Sequence, residues 1–437
     1  MARKNKCPSE KNREEEGKSE SFTSPRGWKV KKIGDLIEDI FDYRGRTPKK
    51  LGMQWGGGQI KAISANNVEM GRLNFEKETN YGSETLYKKW MTKGDLEKGD
   101  VIITLEAPLG NVAQIPDNDK YILSQRVVVL KNKPDVVDKD FLKSILMSFD
   151  FQKQLKKNAT GTTATGIQQK RLVELYSLLP SIPEQHNIVK ILTTVDATIS
   201  KTESIIAKIE TLKSGLMQEF LVNGSDYSPS KHVGKGKNAR NAWKKQKLIE
   251  FADVVMGTSP DGKSYNFNGI GEPLINGPAE FGEIHPTPVQ WTTEPTKMCN
   301  NGDILFCVRG STTARMNIAD QKYCIGRGIA AIRGKTNRGD TTFIKFLLSM
   351  TQEKIFNLAS GGGSTFPNIT STLLCELKFI VPPLSTQKQI ASIVTSVENQ
   401  LHAEKKYRAS LLIIKNGLMQ DLLTGKVPVI PGGHAHA

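Results

Sequence analysis

Lys213-Ser-Gly-Leu-Met-Gln218 returns as Lys415-Asn-Gly-Leu-Met-Gln420, 202 residues further along the chain. The same offset pairs Phe141 with Phe343, Ile167 with Ile369, Glu174-Leu175 with Glu376-Leu377, and Pro180 with Pro382. It also pairs Gln185 with Gln387, Ile188 with Ile390 and Val195 with Val397. A register that holds without a slip over about eighty residues marks a tandem duplication. Upstream the match loosens: Trp28 answers Trp243, and Lys98-Gly-Asp-Val-Ile102 answers Asn301-Gly-Asp-Ile-Leu305. The chain of 437 residues thus reads as one pattern of about 200 residues written twice.

Each copy has two textures. Residues 28–183 and 243–385 are rich in Gly and Pro, with short apolar runs such as Val101-Ile-Ile-Thr-Leu105, Arg126-Val-Val-Val-Leu130 and Ile304-Leu-Phe-Cys-Val308. Bounded by turn residues, these predict strands. Apolar residues at 141, 142, 145, 146 and 149 predict a helix from Phe141 to Leu155, with a counterpart starting at Phe343. Each globule is α+β and closes on prolines, Leu179-Pro-Ser-Ile-Pro183 and Val381-Pro-Pro383.

Beyond the prolines, residues 184–222 and 386–424 carry an a/d seam. In the first copy it runs through Ile188, Leu192, Val195, Ile199, Ile206, Ile209, Leu216 and Phe220. In the second it runs through Ile390, Val394, Val397, Leu401, Leu411, Leu418 and Leu422. Helices of this length span about 54 Å. Each seam needs a partner, and the chain order supplies one: the second helix can cover the first only by running back towards the first globule. The expected fold is α+β: a tandem duplication of two α/β domains, separated by two long antiparallel helices that form an intramolecular coiled coil with a pseudo-two-fold axis. Two modules held at the ends of such a rod suit a polymer of regular repeat, about 16 base pairs of duplex DNA. Residues 223–242 read as a turn-rich, basic linker, 1–27 as a disordered, mixed-charge extension, and 425–437 as a tail.

Lys and Arg number 61 against 45 Asp and Glu, a net charge of +16 that favours a polyanionic partner. Five Cys without close pairs exclude a disulfide framework and fit a reducing compartment. The chain has no run of eighteen apolar residues and no apolar leader in its first 27, so neither a membrane span nor a secretory signal is expected and the cytoplasm is.

The arrangement resembles the specificity subunit of a Type I restriction-modification system, from Trp28 to about Pro428. The carriers are the turns Gly45-Arg-Thr-Pro48 and Gly257-Thr-Ser-Pro260, the Gly-Asp strand starts, and the Gly/Thr/Ser loops at 161–166 and 361–365. The helix entrances Pro180 to Ile188 and Pro382 to Ile390 complete the set. One departure is the helix entrance itself, Pro-Glu-Gln in the first copy and Ser-Thr-Gln in the second. The resemblance implies that the globules are target recognition domains, each reading one half of a bipartite, asymmetric site on double-stranded DNA. It further implies that the helices set the spacer and dock two adenine methyltransferase subunits and a restriction/translocase subunit. A stand-alone DNA-binding or scaffold protein, assembling through its coiled coil, is the alternative.

Chemistry is not expected in this chain. Gly56-Gly-Gly58, Gly161-Thr-Thr-Ala-Thr-Gly166 and Gly361-Gly-Gly363 lack the Lys-[Ser/Thr] of a nucleotide-binding loop. The cysteines lack metal spacing, and no cofactor is implied. What remains is DNA contact, in which phosphate grips position and base contacts specify. The first globule offers Arg44, Arg46, Lys49, Lys50, Thr162, Thr163, Thr165, Gln168, Lys170 and Arg171, with Asn66 and Asn67 as base readers. The second offers Ser259, Lys263, Arg309, Arg315, Arg327, Ser364, Thr365 and Asn368, with Asn276 as a base reader. Arg suits guanine, and Asn or Gln suits adenine.

Overall fold

The computed structural model describes residues 25, 27–161, 165–222, 243–360 and 367–429, the side chains of 219–222 excepted. The linker 223–242, most of the 1–27 extension and the end of the tail lie outside the described residues. The chain divides into two units, Met1–Lys201 with Arg408–Ala437, and Thr202–Tyr407. Each unit holds one globule together with one end of each long helix.

In the first unit an antiparallel sheet has the strand order Ile37–Asp42, Val127–Asn132, Val101–Thr104, Val112–Gln114. The short apolar runs of the sequence are its central strands. Successive side chains point to opposite faces, and here both faces are covered. Val128 and Leu130 enter a core shared with Phe141, Ile145 and Phe151, while Val127 and Val129 enter a second core with Ile63, Trp90 and Ile122. A strand buried on both faces has no polar alternation, which is why Val101-Ile-Ile103 and Val127-Val-Val-Leu130 run unbroken in apolar residues. The second core is closed by a three-stranded sheet ordered Tyr81–Gly82, Ile60–Ile63, Tyr121–Leu123.

The second unit repeats the plan. Its sheet orders Ala252–Met256, Ile329–Gly334, Ile304–Cys307 and Met316–Ile318. Ala330 and Ile332 face one core, and Ile329 and Ala331 the other. The parallel pairing of Ile60–Ile63 with Tyr121–Leu123 recurs as Glu272–Ile275 with Tyr323–Ile325, now inside a five-stranded sheet.

The helix expected from Phe141 to Leu155 is two helices, Lys139–Met147 and Phe149–Lys157. Ser148 interrupts them with an extended backbone (ψ 151°), and its hydroxyl accepts the Phe151 N–H at 3.3 Å, capping the second helix. The counterpart divides likewise into Thr341–Met350 and Gln352–Ala359.

The long helices are Ile182–Val222 and Leu384–Leu423, each beginning two residues before the expected 184 and 386. In the first helix Pro183 occupies the first turn, where its missing N–H leaves no intrahelical bond unmade. In the first unit Ile188 and Leu192, near the start of one helix, share a core with Met419, Leu422 and Leu423, at the end of the other. In the second unit Ile390 and Val394, near the start of the second helix, pack with Leu216 and Met217. Start meets end in both units, so the helices run antiparallel. The seam residues Ile199, Ile209 and Leu411 are buried as the spacing predicts; the side chain of Phe220 lies outside the described residues. The ion pair Asp196–Lys415 (2.6 Å) is matched by Glu398–Lys213 (2.8 Å). The 202-residue offset turns one pair into the other with the helices exchanged, so the two units repeat the same helix contact.

Candidate nucleic-acid interface

Two duplicated polar clusters fix the frame that presents the exposed loops. At the helix entrances Gln185 and Gln387 are fully buried. The Gln185 carboxamide oxygen accepts the Asp138 N–H at 2.9 Å, and its nitrogen donates to the carbonyls of Val136 and Pro180. Gln387 makes the same three bonds, to Asp340, Arg338 and Pro382. A buried carboxamide is tolerable only when satisfied in this way, and satisfaction here ties each long helix to its own globule. At the Gly-Asp strand starts, Gly99 and Gly302 have φ of +86° and +85°, a region that glycine enters without strain. The following carboxylates are buried and accept backbone N–H groups, Asp100 from Glu97 and Asp303 from Asn300.

On the first domain, the Gly45-Arg-Thr-Pro48 turn is capped by Thr47, whose hydroxyl accepts the Lys50 N–H. Arg44 grips Asp42 through two edges, Nε to Oδ1 at 3.0 Å and Nη2 to Oδ2 at 2.6 Å. Burial pushes the Asp42 carboxyl up, yet hydrogen bonds and charge from Arg44 hold it below the ordinary carboxylate value, so the pair stays ionised. Arg44 lines an open groove with Glu106, Thr160, Gly166, Gln168 and Gln169. Thr165, Lys170, Arg171 and Lys49 are exposed.

Other candidates are engaged by neighbours in their own domain. The Arg46 guanidinium donates to the Trp90 carbonyl and to the Thr92 hydroxyl, and lies 4.9 Å from the Tyr43 ring centre. Lys50 donates back to the Gly45 carbonyl at 2.7 Å. Asn66 is exposed, but Asn67 is buried: its oxygen accepts from Ser64, and its nitrogen donates to Thr79 at 2.9 Å. A committed carboxamide inside the domain holds a loop and presents nothing to a base edge.

On the second domain, the Ser259 hydroxyl accepts both the backbone N–H and the Nε of Arg327, joining two candidates distant in sequence. Arg309 and Asn368 form an isolated antiparallel bridge, and Arg309 Nε donates to the Asn368 Oδ1 at 3.2 Å. Arg315 reaches the carbonyls of Pro278 and Phe281. Lys263 is exposed on a short 3-10 turn, Gly262–Ser264. Asn276 donates to Gln290 at 3.1 Å and packs so closely on Gly326 that a Cβ there would sit 2.2 Å from its oxygen. Thr162, Thr163, Ser364 and Thr365 lie outside the described residues.

Glu106 and Arg126, which no sequence motif singles out, pair at 3.2 Å, and Glu106 lines the same groove as Arg44. An isolated acid in a basic chain carries no signal in one dimension; it acquires one only when the bridge Glu106–Gly166 is matched to Arg309–Asn368. Burial pushes the Cys299 thiol up to about 12 and raises Cys307, which leaves both as inert packing groups. No cluster of His, Cys, Asp and Glu that could hold a metal occurs among the described residues, and no helix among them is long and apolar enough to cross a membrane.

The sequence profile of the type I restriction modification DNA specificity domain matches residues 25–211 and again residues 241–411. The chain belongs to this family. Its two domains are the family's specificity domain in tandem, joined by the antiparallel helices, an arrangement expected of a specificity subunit and not of a stand-alone scaffold. A Methanocaldococcus jannaschii protein named as the specificity subunit of the type I restriction enzyme MjaX is 29% identical over 94% of this chain and 96% of its own. The MjaVIII specificity subunit of the same organism is 24% identical over 93% and 94%. Among solved structures, the S subunit of a Type I system from M. genitalium aligns with a TM-score of 0.62 and 18% identity, covering 93% of this chain and 98% of that one. A chain from a structure of type I R-M complex assembly aligns at 0.54, with 22% identity over 93% and 100%.

Proposed function

We propose that this chain is the non-catalytic DNA-reading subunit of a Type I restriction-modification complex. Each specificity domain reads one half of a bipartite, asymmetric site on double-stranded DNA, and the paired helices set the spacing between the halves. The helices also dock two adenine methyltransferase subunits and a restriction/translocase subunit, which carry the chemistry; the complex works in the cytoplasm.

One observation carries the reading. The buried frame is duplicated bond for bond at Gln185 and Gln387, while the bridge positions above it differ in charge, Glu106 in the first domain and Arg309 in the second. A reader of two unlike half-sites needs that combination of a shared scaffold and divergent faces. The basic charge supplies the sequence-independent hold on phosphate, and we assign that hold to Arg44, Arg171, Arg309, Arg327, Gln168, Lys49, Lys170 and Lys263, all of which are exposed.

Single-molecule sequencing of DNA from cells carrying this chain and an adenine methyltransferase partner tests the proposal. The expected result is methyladenine in a split motif with a fixed number of unspecified bases between its halves. Methylation without such a motif, or a motif indifferent to spacer length, would overturn it.

A further inference from the structure

The bridge that closes each recognition surface is one structural position occupied by opposite charges. In the first domain Glu106 pairs with Gly166, and in the second Arg309 pairs with Asn368. The equivalence is set by the backbone. Ile167 N–H donates to the Leu105 carbonyl at 2.9 Å, and Ile369 N–H to the Val308 carbonyl at 2.8 Å. Leu105 N–H donates to Arg126, and Val308 N–H to Gly328, both at 2.9 Å. Residues 106 and 309 therefore leave the end of the same central strand in the same direction, each bridged to the residue before Ile167 or Ile369.

We propose that this position is a base-reading position in both domains, with Glu106 selecting a cytosine amine and Arg309 selecting guanine. The proposal rests on the reading that each domain recognises a half-site. Arg309 spends Nε on Asn368, which fixes the plane of the guanidinium; the end-on pair of Nη groups is the edge that meets guanine O6 and N7 together. Glu106 can only accept, and cytosine N4 is the major-groove amine that stands without an adjacent acceptor. A carboxylate beside a phosphodiester backbone is repelled, but here Arg126 at 3.2 Å offsets the charge of Glu106, as Arg44 offsets that of Asp42, so the acid adds no net negative charge to the groove. The two domains thus place different readers at one address without altering the frame beneath.

The test uses the full chain assembled with methyltransferase subunits and a pool of duplexes in which both half-sites are randomised, wild type alongside Arg309→Lys and Glu106→Gln. Lysine keeps the charge and loses the fork; glutamine keeps the shape and exchanges the preference towards adenine. Arg309→Lys should lose roughly ten- to a hundredfold of discrimination at a single guanine of one half-site. Glu106→Gln should move one position of the other half-site from cytosine to adenine. The remaining positions of each half-site should stay as in wild type, which also shows that the variants fold. Wild-type selectivity that survives unchanged in both variants would overturn this inference alone, as would a loss spread evenly over every position. A wild-type complex that selects no sequence would overturn the functional reading beneath it.

Discussion

Asp100 and Asp303 sit at the same corner of the two recognition domains, and their partners differ. Asp303 is held by the fork of Arg333, with bonds of 2.6 and 2.7 Å. Asp100 is held by Lys131 at 2.6 Å with Lys139 at 3.5 Å behind it. Both buried carboxylates cap the same turn, so the frame is unchanged while the cation that neutralises it has been exchanged. Gln185 and Gln387 show no such drift, because their three bonds go to backbone groups that no substitution can move. The lesson concerns what duplication preserves. Bonds to the main chain persist, side-chain pairs persist in kind, and residues that reach solvent, such as the half-buried Glu106 and the exposed Arg309, change even in sign.

The sharpest way to break the equivalence is to empty the same site in each core. Phe141 and Phe343 are 202 residues apart and fully buried. Phe141→Ala and Phe343→Ala should each cost about 3–5 kcal/mol. The chain has two units, so a single unfolding midpoint is not meaningful; hydrogen exchange followed separately in each unit is the measurement. Phe141→Ala should weaken protection in the first unit and Phe343→Ala in the second. A loss that appeared equally in both units for either variant would contradict two separate cores. Next in size are Gln185→Ala and Gln387→Ala. Each strands one N–H and two carbonyls, a cost of about 2–4 kcal/mol, seen in the same exchange experiment as early opening of the helix entrance. Markedly different losses at the two sites would mean that identical bonds do not imply identical roles.

Much of this frame was legible before any coordinate. The offset of 202 residues named the duplication, and the spacing from Ile188 to Leu216 named the seam, because burial on one helix face leaves a period that composition cannot hide. Direction followed from connectivity alone. The break at Ser148 was not legible, since the apolar positions on either side keep helical spacing and only a capping hydroxyl divides them. The recognition face was legible least. Arg46, Lys50 and Asn67 have the composition of DNA contacts, and the fold turns each of them onto its own backbone or side chains. Within the first domain Arg44 lines one groove with Gln168, and within the second Arg309 bonds Asn368 across 59 residues, proximities that no local pattern encodes.

The smallest expected effect probes the exchange of cations directly. Arg333→Ala removes both bonds to a carboxylate that is 2% exposed, leaving Asp303 its backbone partner and a buried charge, at a cost of about 2–3 kcal/mol. Lys131→Ala removes the near cation from Asp100 but leaves Lys139, which can close from 3.5 Å because its side chain is partly exposed and long. Its cost should be about 1 kcal/mol. The ratio is the informative quantity, read from exchange at the Gly-Asp turn of each unit. Equal losses would show that Lys139 gives no compensation and that the two-lysine arrangement is no more tolerant than the single arginine. A loss in the double variant Lys131→Ala/Lys139→Ala larger than the sum of the two singles would show the reserve acting. The first domain would then hold its frame by redundancy, and the second by geometry.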